Sequence, residues 1–337
     1  MNMLRSEALK HLHPGWFSIV MGLAGLSLAW AQAARSMGGI AGALALALAL
    51  GALAALAFVA LLGLSWWRWL RQPEALAADL AHPVRHAFVA ALPISLMLLA
   101  GVAVSALGQT GGWAAALWWL GSLGQMGATV WALGRWINNA QAGGWAQLTP
   151  SLFLPAVGNV VAALAGGAVG AGPWAAAQFG VGVTLWLALL TLLLARLAVH
   201  GVWTQRLLPL TFITIAPPAV AGMALLQLGG PAVLAWMAWG VALMFLLWSL
   251  NVMPRMLAQP ASVTWWALSF PLAAFAALSL RLAGHDSGVM GALALLALAF
   301  ASLTVAALVL ATLQGLRDGA WLAPEQVALS VAAPPDH

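Results

Sequence analysis

Few residues of this chain could do chemistry, and their spacing does not form a catalytic or metal-binding set. His82 and His86 stand four residues apart at a predicted helix start, a spacing that can place two ligands on one metal ion. Pro83 lies between them and no third ligand follows, so head-group contact or packing at the helix start is the favoured interpretation. His200 and His285 fall in predicted loops, which leaves the long apolar stretches without a histidine to ligate a haem.

Hydrolytic enzymes require residues that this sequence lacks. The chain has no cysteine, it contains neither an HExxH nor a GxSxG pattern, and no Asp or Glu lies within its long apolar stretches. A membrane enzyme would therefore need a bound cofactor or a reactive side chain that the sequence does not reveal. We expect no enzymatic activity, no cofactor and no metal.

The composition identifies the solvent of the chain. Of its 337 residues 64% are hydrophobic and 6% are charged, which is too little charge to cover a soluble domain, so most of the chain must face lipid. The formal charge of +5 lies in predicted loops, which indicates contact with anionic lipid head groups and disfavours nucleic acid as a partner. The first apolar stretch has the length of a full span and no small-residue cleavage site, so we interpret it as a retained membrane helix.

Glycine-rich turns divide the charge-free stretches into spans of membrane length. The turns at 108–112, 170–173 and 229–231 each split a stretch that is longer than one crossing. We expect one transmembrane channel domain over residues 1–337, with short cytoplasmic tails at 1–13 and 317–337. The sequence predicts an all-α integral membrane protein with ten transmembrane helices, at approximately 16–34, 40–67, 87–108, 113–135, 152–169, 174–196, 209–228, 232–250, 263–282 and 289–314.

The distribution of basic residues predicts the orientation. Ten of the twelve lie on one side of the predicted membrane, and the other side holds only Arg35 and Arg281. Because short loops rich in Lys and Arg stay in the cytoplasm, both termini are predicted to be cytoplasmic. Tryptophan clusters such as Trp66-Trp67-Trp69 lie at predicted helix ends, where interfacial belt residues are expected.

A repeat of prolines is the most informative feature of the sequence. A proline introduces each odd-numbered span, at separations of 69, 67, 59 and 51 residues that match one helical hairpin: Pro14, Pro83, Pro150, Pro209 and Pro260. Four of the five odd spans contain further prolines, and no even span does. Prolines are ordinary at helix starts and are scattered through membrane helices. Their restriction to odd spans nevertheless favours five helical hairpins, with an inner ring of five odd helices around a pore and an outer ring of five even helices.

The ninth span contains a proline in the middle of an apolar stretch, 265–271 (WWALSFP). Pro271 lacks a backbone donor and frees the carbonyl of Ala267, so the sequence predicts a bend at Phe270. A broken helix is tolerated in a bilayer only where protein or a water-filled cavity satisfies its backbone. Phe270 is therefore a candidate for a side chain directed into a pore, and the alternative is an aromatic residue that faces lipid or the core.

The predicted inner face offers small polar groups and no charge. We expect the pore to be lined, or its helices kinked, by twelve residues: Ser18, Gly22, Pro93, Ser95, Pro155, Asn159, Thr214, Pro217, Pro218, Ser269, Phe270 and Pro271. Cytoplasmic arginines and helix N-termini favour small anions as the transported partner, and no charged midplane residue is present to carry a proton. Carbonyls freed at the kinks have the opposite effect unless they point outward or bind water.

Five stretches of the chain resemble the TehA-type tellurite-resistance and dicarboxylate transporter family, which includes the slow-type anion channels of plant guard cells. They are 13–22 (HPGWFSIVMG), 82–84 (HPV), 152–159 (LFLPAVGN), 258–260 (AQP) and 265–271 (WWALSFP), in order and at compatible spacing over about residues 13–315. The resemblance implies a homotrimer of ten-helix protomers, each with its own pore. It also implies that Phe270 plugs this pore as a gate, since a phenyl ring across a narrow apolar tube blocks ions until it changes rotamer.

We therefore predict an anion channel or channel-like exporter that passes small anions, in the cytoplasmic (inner) membrane of a bacterium. The alternative is a proton-coupled secondary transporter of C4-dicarboxylates or of oxyanions such as tellurite and sulfite. A coupled transporter requires a reversal potential that depends on pH, whereas a pore follows the anion gradient alone.

Overall fold

The computed structural model describes residues 9–36, 40–138, 145, 148–285 and 288–322, and every regular element within these ranges is helical. Most of both predicted tails, at 1–8 and 323–337, lies outside the described residues. Ten helical segments coincide with the predicted spans and are numbered here in chain order: Pro14–Ser36, Ala43–Arg71, Arg85–Leu107, Trp113–Asn138, Pro150–Leu164, Gly172–His200, Gln205–Gln227, Ala232–Leu250, Val263–Ala283 and Val289–Arg317. Two shorter helices, Pro73–Ala81 and Met253–Leu257, lie in connections.

Eight of these segments are long and apolar enough to cross a bilayer. Segment 4, which is rich in tryptophan and glycine, and segment 5, which is short, fall outside that group. The chain is therefore an all-helical membrane protein with eight candidate spans. The prediction of ten crossings goes beyond this number and stays a prediction.

The odd-numbered segments begin with 3-10 helix, whereas the even-numbered segments are continuous α-helix. The change to α-helix comes after Phe17, Ala90, Ile215 and Leu268 in segments 1, 3, 7 and 9. Segment 5 alternates between the two types, with a short α-helical part at Phe153–Val157. A 3-10 helix is tighter and its hydrogen bonds are poorer, so long stretches of it need support from surrounding protein.

The prolines inside the odd segments occupy a repeated position. Pro93, Pro155, Pro218 and Pro271 are each the third residue of the α-helical part of their segment. In the first α-helical turn a backbone N–H has no intrahelical α partner, so a proline there costs little. The break that the sequence predicts at Phe270 thus falls beside a change in helix type between Leu268 and Ser269.

Burial alternates along the chain. In the most apolar stretches of segments 1, 3, 7 and 9, 78 to 94% of the residues are buried, and in those of segments 2, 6, 8 and 10 only 22 to 28% are. The even segments expose large apolar side chains, for example Leu56, Val59 and Leu303. Exposed apolar surface of this extent requires lipid or another protein against it.

Segments 1 and 9 approach each other closely through glycine. A Cβ added at Gly22 would collide with the side chain of Ser269, and a Cβ added at Gly25 would lie 2.8 Å from Cδ2 of Phe270. Only a residue without a side chain leaves room for these contacts. The two glycines therefore set the position of the Phe270 ring relative to segment 1.

Candidate functional site

A central cavity of about 60 Å³ lies in the middle of the protein. All the described residues that line it belong to segments 1, 3, 5, 7 and 9, among them Ser18, Phe153, Pro217 and Phe270. This described lining is apolar except for Ser18, and no titratable side chain is part of it. Such a cavity disfavours an unaccompanied ion, because nothing in its wall replaces the ion's hydration shell.

Two further cavities lie on either side of the central one along the odd segments. The N-side vestibule, of about 250 Å³, is lined mainly by residues at the starts of segments 1, 3, 7 and 9, including His13, His82, Arg206 and Thr264. The C-side cavity, of about 50 Å³, is lined by later residues of all five odd segments, including Arg35. Residue numbers increase from the vestibule through the central cavity to the C-side cavity in segments 1, 3, 7 and 9, and from the central to the C-side cavity in segment 5. The five odd segments therefore run parallel along one file of cavities.

Single side chains separate these cavities. Phe88 lines both the vestibule and the central cavity, while Val220 and Phe270 line both the central and the C-side cavity. Phe270 is 8% exposed. Its side chain therefore stands between two internal spaces and does not face lipid.

Residues just before Phe270 anchor this part of segment 9. The indole Nε1 of Trp266 donates a hydrogen bond to Oγ1 of Thr312 in segment 10 at 3.0 Å, and Ser269 Oγ donates to the Trp266 carbonyl at 2.6 Å. Gly25 contacts the ring from segment 1. These contacts position the backbone at Phe270, and a change of rotamer moves the ring without disturbing them.

The structure brings together four of the twelve predicted pore and kink residues at the central cavity, namely Ser18, Pro217, Phe270 and Pro271. The other eight lie in the packing around the three cavities: Gly22, Pro93, Ser95, Pro155, Asn159, Thr214, Pro218 and Ser269. Phe88, Val220 and Arg35 line the cavities and were missed by sequence reasoning. Phe88 lies only five residues after Pro83, but no feature of the sequence beside it indicates a pore-lining side chain.

Hydroxyl groups of the odd segments satisfy backbone carbonyls near the helix-type junctions. Ser95 Oγ donates to the Ala91 carbonyl at 2.6 Å, and Thr214 Oγ1 donates to the Thr211 carbonyl at 2.7 Å. Ser269 repeats this pattern at the Trp266 carbonyl. Carbonyl groups that accept such bonds present less negative potential to the pathway. They therefore repel an anion less than free carbonyls at the kinks would.

A buried polar network supports segment 5 from its outer side. Asn159 Nδ2 donates to Thr129 Oγ1 at 2.7 Å, and Asn159 Oδ1 accepts from Gln178 Nε2 at 3.1 Å. Gln125 Nε2 and Thr129 Oγ1 both donate to the Pro155 carbonyl, at 3.0 and 2.6 Å. The carbonyls of Leu154 and Pro155 are therefore bonded by side chains of segment 4, which does not line the central cavity.

Comparison with known proteins assigns the chain to a family. The profile described as SLAC1, voltage-dependent anion channel, matches residues 11–313. The chain belongs to the SLAC1 family. It is 27% identical to a tellurite resistance protein TehA homolog from Haemophilus influenzae over 91% of this chain and 92% of that protein.

Two other relatives carry different functional names. An S-type anion channel, SLAH3, from Arabidopsis thaliana is 29% identical over 78% of this chain and 41% of the plant protein. A sulfite efflux pump, SSU1, from Trichophyton rubrum is 24% identical over 80% of each chain. The predicted resemblance to TehA and the plant channels is thus confirmed, and these SLAC1-family relatives are named for transport or resistance and not for an enzymatic reaction.

The N-side vestibule of this SLAC1-family protein is basic and is held by an ion cluster. Asp79, on the helix Pro73–Ala81, accepts from Arg68 Nη2 at 2.7 Å and from Arg85 Nη1 at 3.3 Å. Arg68 and Asp79 are almost fully buried, and Arg85 lines the vestibule.

Two His-Pro pairs begin segments 1 and 3 in the same way. His13 Nδ1 accepts from the Gly15 N–H at 3.1 Å, and His82 Nδ1 accepts from the Val84 N–H at 3.1 Å. Burial lowers the pKa of His13 to about 3, with further lowering by the charges of Arg85 and Arg68. Burial, followed by Arg85, also lowers the pKa of His82. Both rings are therefore neutral helix caps at neutral pH, and each leaves Nε2–H as a donor.

The geometry also answers the question of a metal at His82 and His86. His82 Nδ1 caps the helix start, and His86 Nδ1 lies 2.9 Å from the His82 carbonyl. The His86 ring packs edge-on against Trp131. Among the described residues no group of three His, Asp or Glu side chains comes together. Packing at the helix start therefore accounts for this pair.

Proposed function

We propose that this protein is a channel for small anions, with the file of three cavities as its pathway and Phe270 as the gate. The observation that carries the proposal is that Phe270 lines both the central and the C-side cavity, so its ring, together with Val220, lies at the boundary between them. Rotation of this ring, or its removal, would join the two cavities. The voltage-dependent anion channel family to which the chain belongs supports the same function.

The architecture that we propose is an inner ring of the five odd segments and an outer ring of the five even ones, with all ten crossing the membrane. Support comes from the linings of the central and C-side cavities, to which only odd segments contribute, and from the alternation of burial. Segment 5 can complete the ring although it is short, because segments 4 and 6 satisfy its polar groups.

Charge along the pathway favours anions over cations. Arg85 and Arg206 line the vestibule and Arg35 lines the C-side cavity, while no acidic side chain of the described residues lines any of the three cavities. Basic residues at both ends raise the local concentration of anions. The absence of a titratable side chain from the described lining of the central cavity also argues against the alternative, a proton-coupled transporter.

We further propose an inner-membrane location with both termini in the cytoplasm, and a homotrimer. The excess of basic residues at the N-side ends supports the orientation. The trimer rests on the resemblance to the TehA-type family, and native mass spectrometry in mild detergent tests it. A carboxy-terminal alkaline phosphatase fusion tests the orientation, because the enzyme stays inactive in the cytoplasm.

Current through reconstituted protein tests the gate. We expect Phe270→Ala to raise the chloride or nitrate current in planar bilayers by roughly tenfold or more, because truncation of the ring opens the pathway. Phe300→Ala is the matched control, since Phe300 lies on segment 10 with 37% of its surface exposed. Both variants must elute as folded protein, because loss of a buried phenyl ring costs about 3 to 5 kcal/mol.

Each outcome decides between named alternatives. An unchanged current in folded Phe270→Ala protein refutes the gate. A reversal potential that shifts with a pH gradient at constant anion gradient identifies proton coupling and overturns the channel. A reversal potential that follows the anion gradient alone supports it.

A further inference from the structure

A positively charged side chain, that of Arg35, lines the C-side cavity, although a neutral residue would be enough to form its wall. Arg35, near the end of segment 1, lines this cavity together with Gln32, Ser105 and Gln227, and Phe270 forms its opposite boundary. It is one of only two basic residues at this end of the odd segments. A charged guanidinium beside a mostly apolar space of about 50 Å³ is unfavourable unless a partner compensates its charge.

Neutral groups hold the Arg35 side chain in place. Its Nη1 donates to the Ser105 carbonyl at 3.1 Å, and its Nη2 donates to Oε1 of Gln32 at 3.3 Å. Gln32 is 3% exposed and is itself fixed by a bond from its Nε2 to Ser36 Oγ at 2.6 Å. These bonds occupy two of the five N–H donors of the guanidinium, and because both acceptors are neutral, they do not compensate its charge. Arg35 is therefore positioned, but its charge is not neutralised by these partners.

The described part of the chain places no acidic side chain beside Arg35. The described acidic residues, Glu74, Asp79 and Asp318, follow even segments or pair with Arg68 and Arg85, at the opposite end. Asp286 lies outside the described residues. Because Arg35 lines the C-side cavity and these groups leave its charge uncompensated, it attracts an anion to that cavity.

We propose that the C-side cavity is a binding site for one small inorganic anion, such as nitrate or chloride, held by Arg35 directly behind Phe270. Its volume exceeds that of a single water molecule, for which about 10 to 15 Å³ is needed, so a partly hydrated ion fits. Gln32 is a positioning residue, and the amide of Gln227 faces the same space. The part that this site plays in conduction rests on the proposed channel function, whereas binding itself does not.

Thermal unfolding of the purified protein in neutral detergent tests binding without conduction. We expect nitrate, compared with gluconate at equal ionic strength, to raise the Tm of wild type, because a ligand bound only to the folded state stabilises it. Arg35→Gln should raise the half-saturating nitrate concentration about fivefold, and Arg35→Lys should restore part of the loss. Arg281→Gln is the matched control, since it removes the same charge at the same end, and we expect a change below about twofold.

The phosphate group of an anionic lipid offers Arg35 the same negative charge as a free anion. A second experiment, with added lipid, distinguishes the two ligands. If phosphatidylglycerol raises the Tm in an Arg35-dependent manner while nitrate does not, the site holds a lipid phosphate and the proposal is overturned. Equal losses in Arg35→Gln and Arg281→Gln would also overturn it, because they would indicate general surface charge and no defined site.

Current measurements in the Phe270→Ala background then test the part played in conduction. At about 20 mM salt, Arg35→Gln should reduce the current of anions that enter from the C side several-fold, and the deficit should shrink near 1 M salt, where charges are screened within about 3 Å. An undiminished current refutes this part. If Phe270→Ala carries no current, the channel function fails, and the Tm result alone decides the binding site.

Discussion

The proline-led segments and the continuous helices of this protein are built from similar apolar residues, yet most residues of the former are buried and most residues of the latter are not. Segments 1, 3, 7 and 9 bury 78 to 94% of their most apolar stretches, and segments 2, 6, 8 and 10 bury 22 to 28%. In lipid, apolarity does not decide which helix lies inside. The backbone decides it, because prolines and 3-10 turns need hydrogen-bond partners that only surrounding protein can provide.

The polar groups follow the same division. Ser95, Asn159, Thr214 and Ser269 are fully buried on odd segments and bond backbone or neighbouring amides. Exposed hydroxyls on even segments, such as that of Thr184, bond only their own helix. Proline and small polar residues therefore mark the helices that protein encloses, and three measurements test this division.

The largest effect is expected from moving a proline to an outer helix. Leu187→Pro, in the middle of segment 6 and 55% exposed, should cost about 3 kcal/mol or more, because it removes an interior hydrogen bond and clashes with the preceding turn. Pro93→Ala should change stability by less than about 1 kcal/mol, since the first turn lacks α partners anyway. Thermal unfolding in detergent measures both, and equal losses would contradict the division.

A smaller effect is expected at the network beneath segment 5. Asn159→Leu should destabilise the protein by about 2 kcal/mol, because it leaves the Gln178 amide and the Thr129 hydroxyl with fewer buried partners. Thr184→Val on the exposed face of segment 6 serves as the control, with a change near zero. If the two substitutions cost the same, the buried network does not support the inner segment.

A third effect concerns the pH dependence of the first inner segment. Because the pKa of buried His13 is lowered to about 3, the unfolded chain takes up a proton below pH 6.5 that the folded chain refuses. Stability should therefore fall as the pH drops from 6.5 toward 3, by about 1.4 kcal/mol per pH unit from this group. His13→Asn keeps a capping side chain and cannot titrate, so its Tm should vary less between pH 7 and about 5. A His13→Asn protein whose Tm falls with pH as steeply as that of wild type would exclude His13 as the source.

Much of the fold could be read from the sequence. The predicted spans agree with the helical segments to within a few residues, except at the carboxyl end of segment 5, which stops at Leu164 where 169 was expected. Eight candidate spans and the family are confirmed, while the ten crossings, the rings and the cytoplasmic termini stay predictions. Hydropathy and turn residues report span positions well because each depends on neighbouring residues only.

The candidate site was less accessible to sequence reasoning. Phe270 was singled out by Pro271 beside it, but Phe88 and Val220 carry no such local mark. Several predicted lining groups, such as Asn159, instead bond other helices. A hydroxyl or amide on a helix has the same local sequence whether it turns to a cavity or to a neighbour, so its direction depends on packing.

Composition and short-range chemistry were enough to show that lipid surrounds this chain, where its apolar helices run and which of them contain proline. The packing of the helices was needed to show that Phe270 lines two cavities, that Asp79 pairs with Arg68 and Arg85, and that Arg35 lines the C-side cavity. Each of these contacts joins residues from different segments, and their distance depends on how the helices pack, which no local pattern encodes.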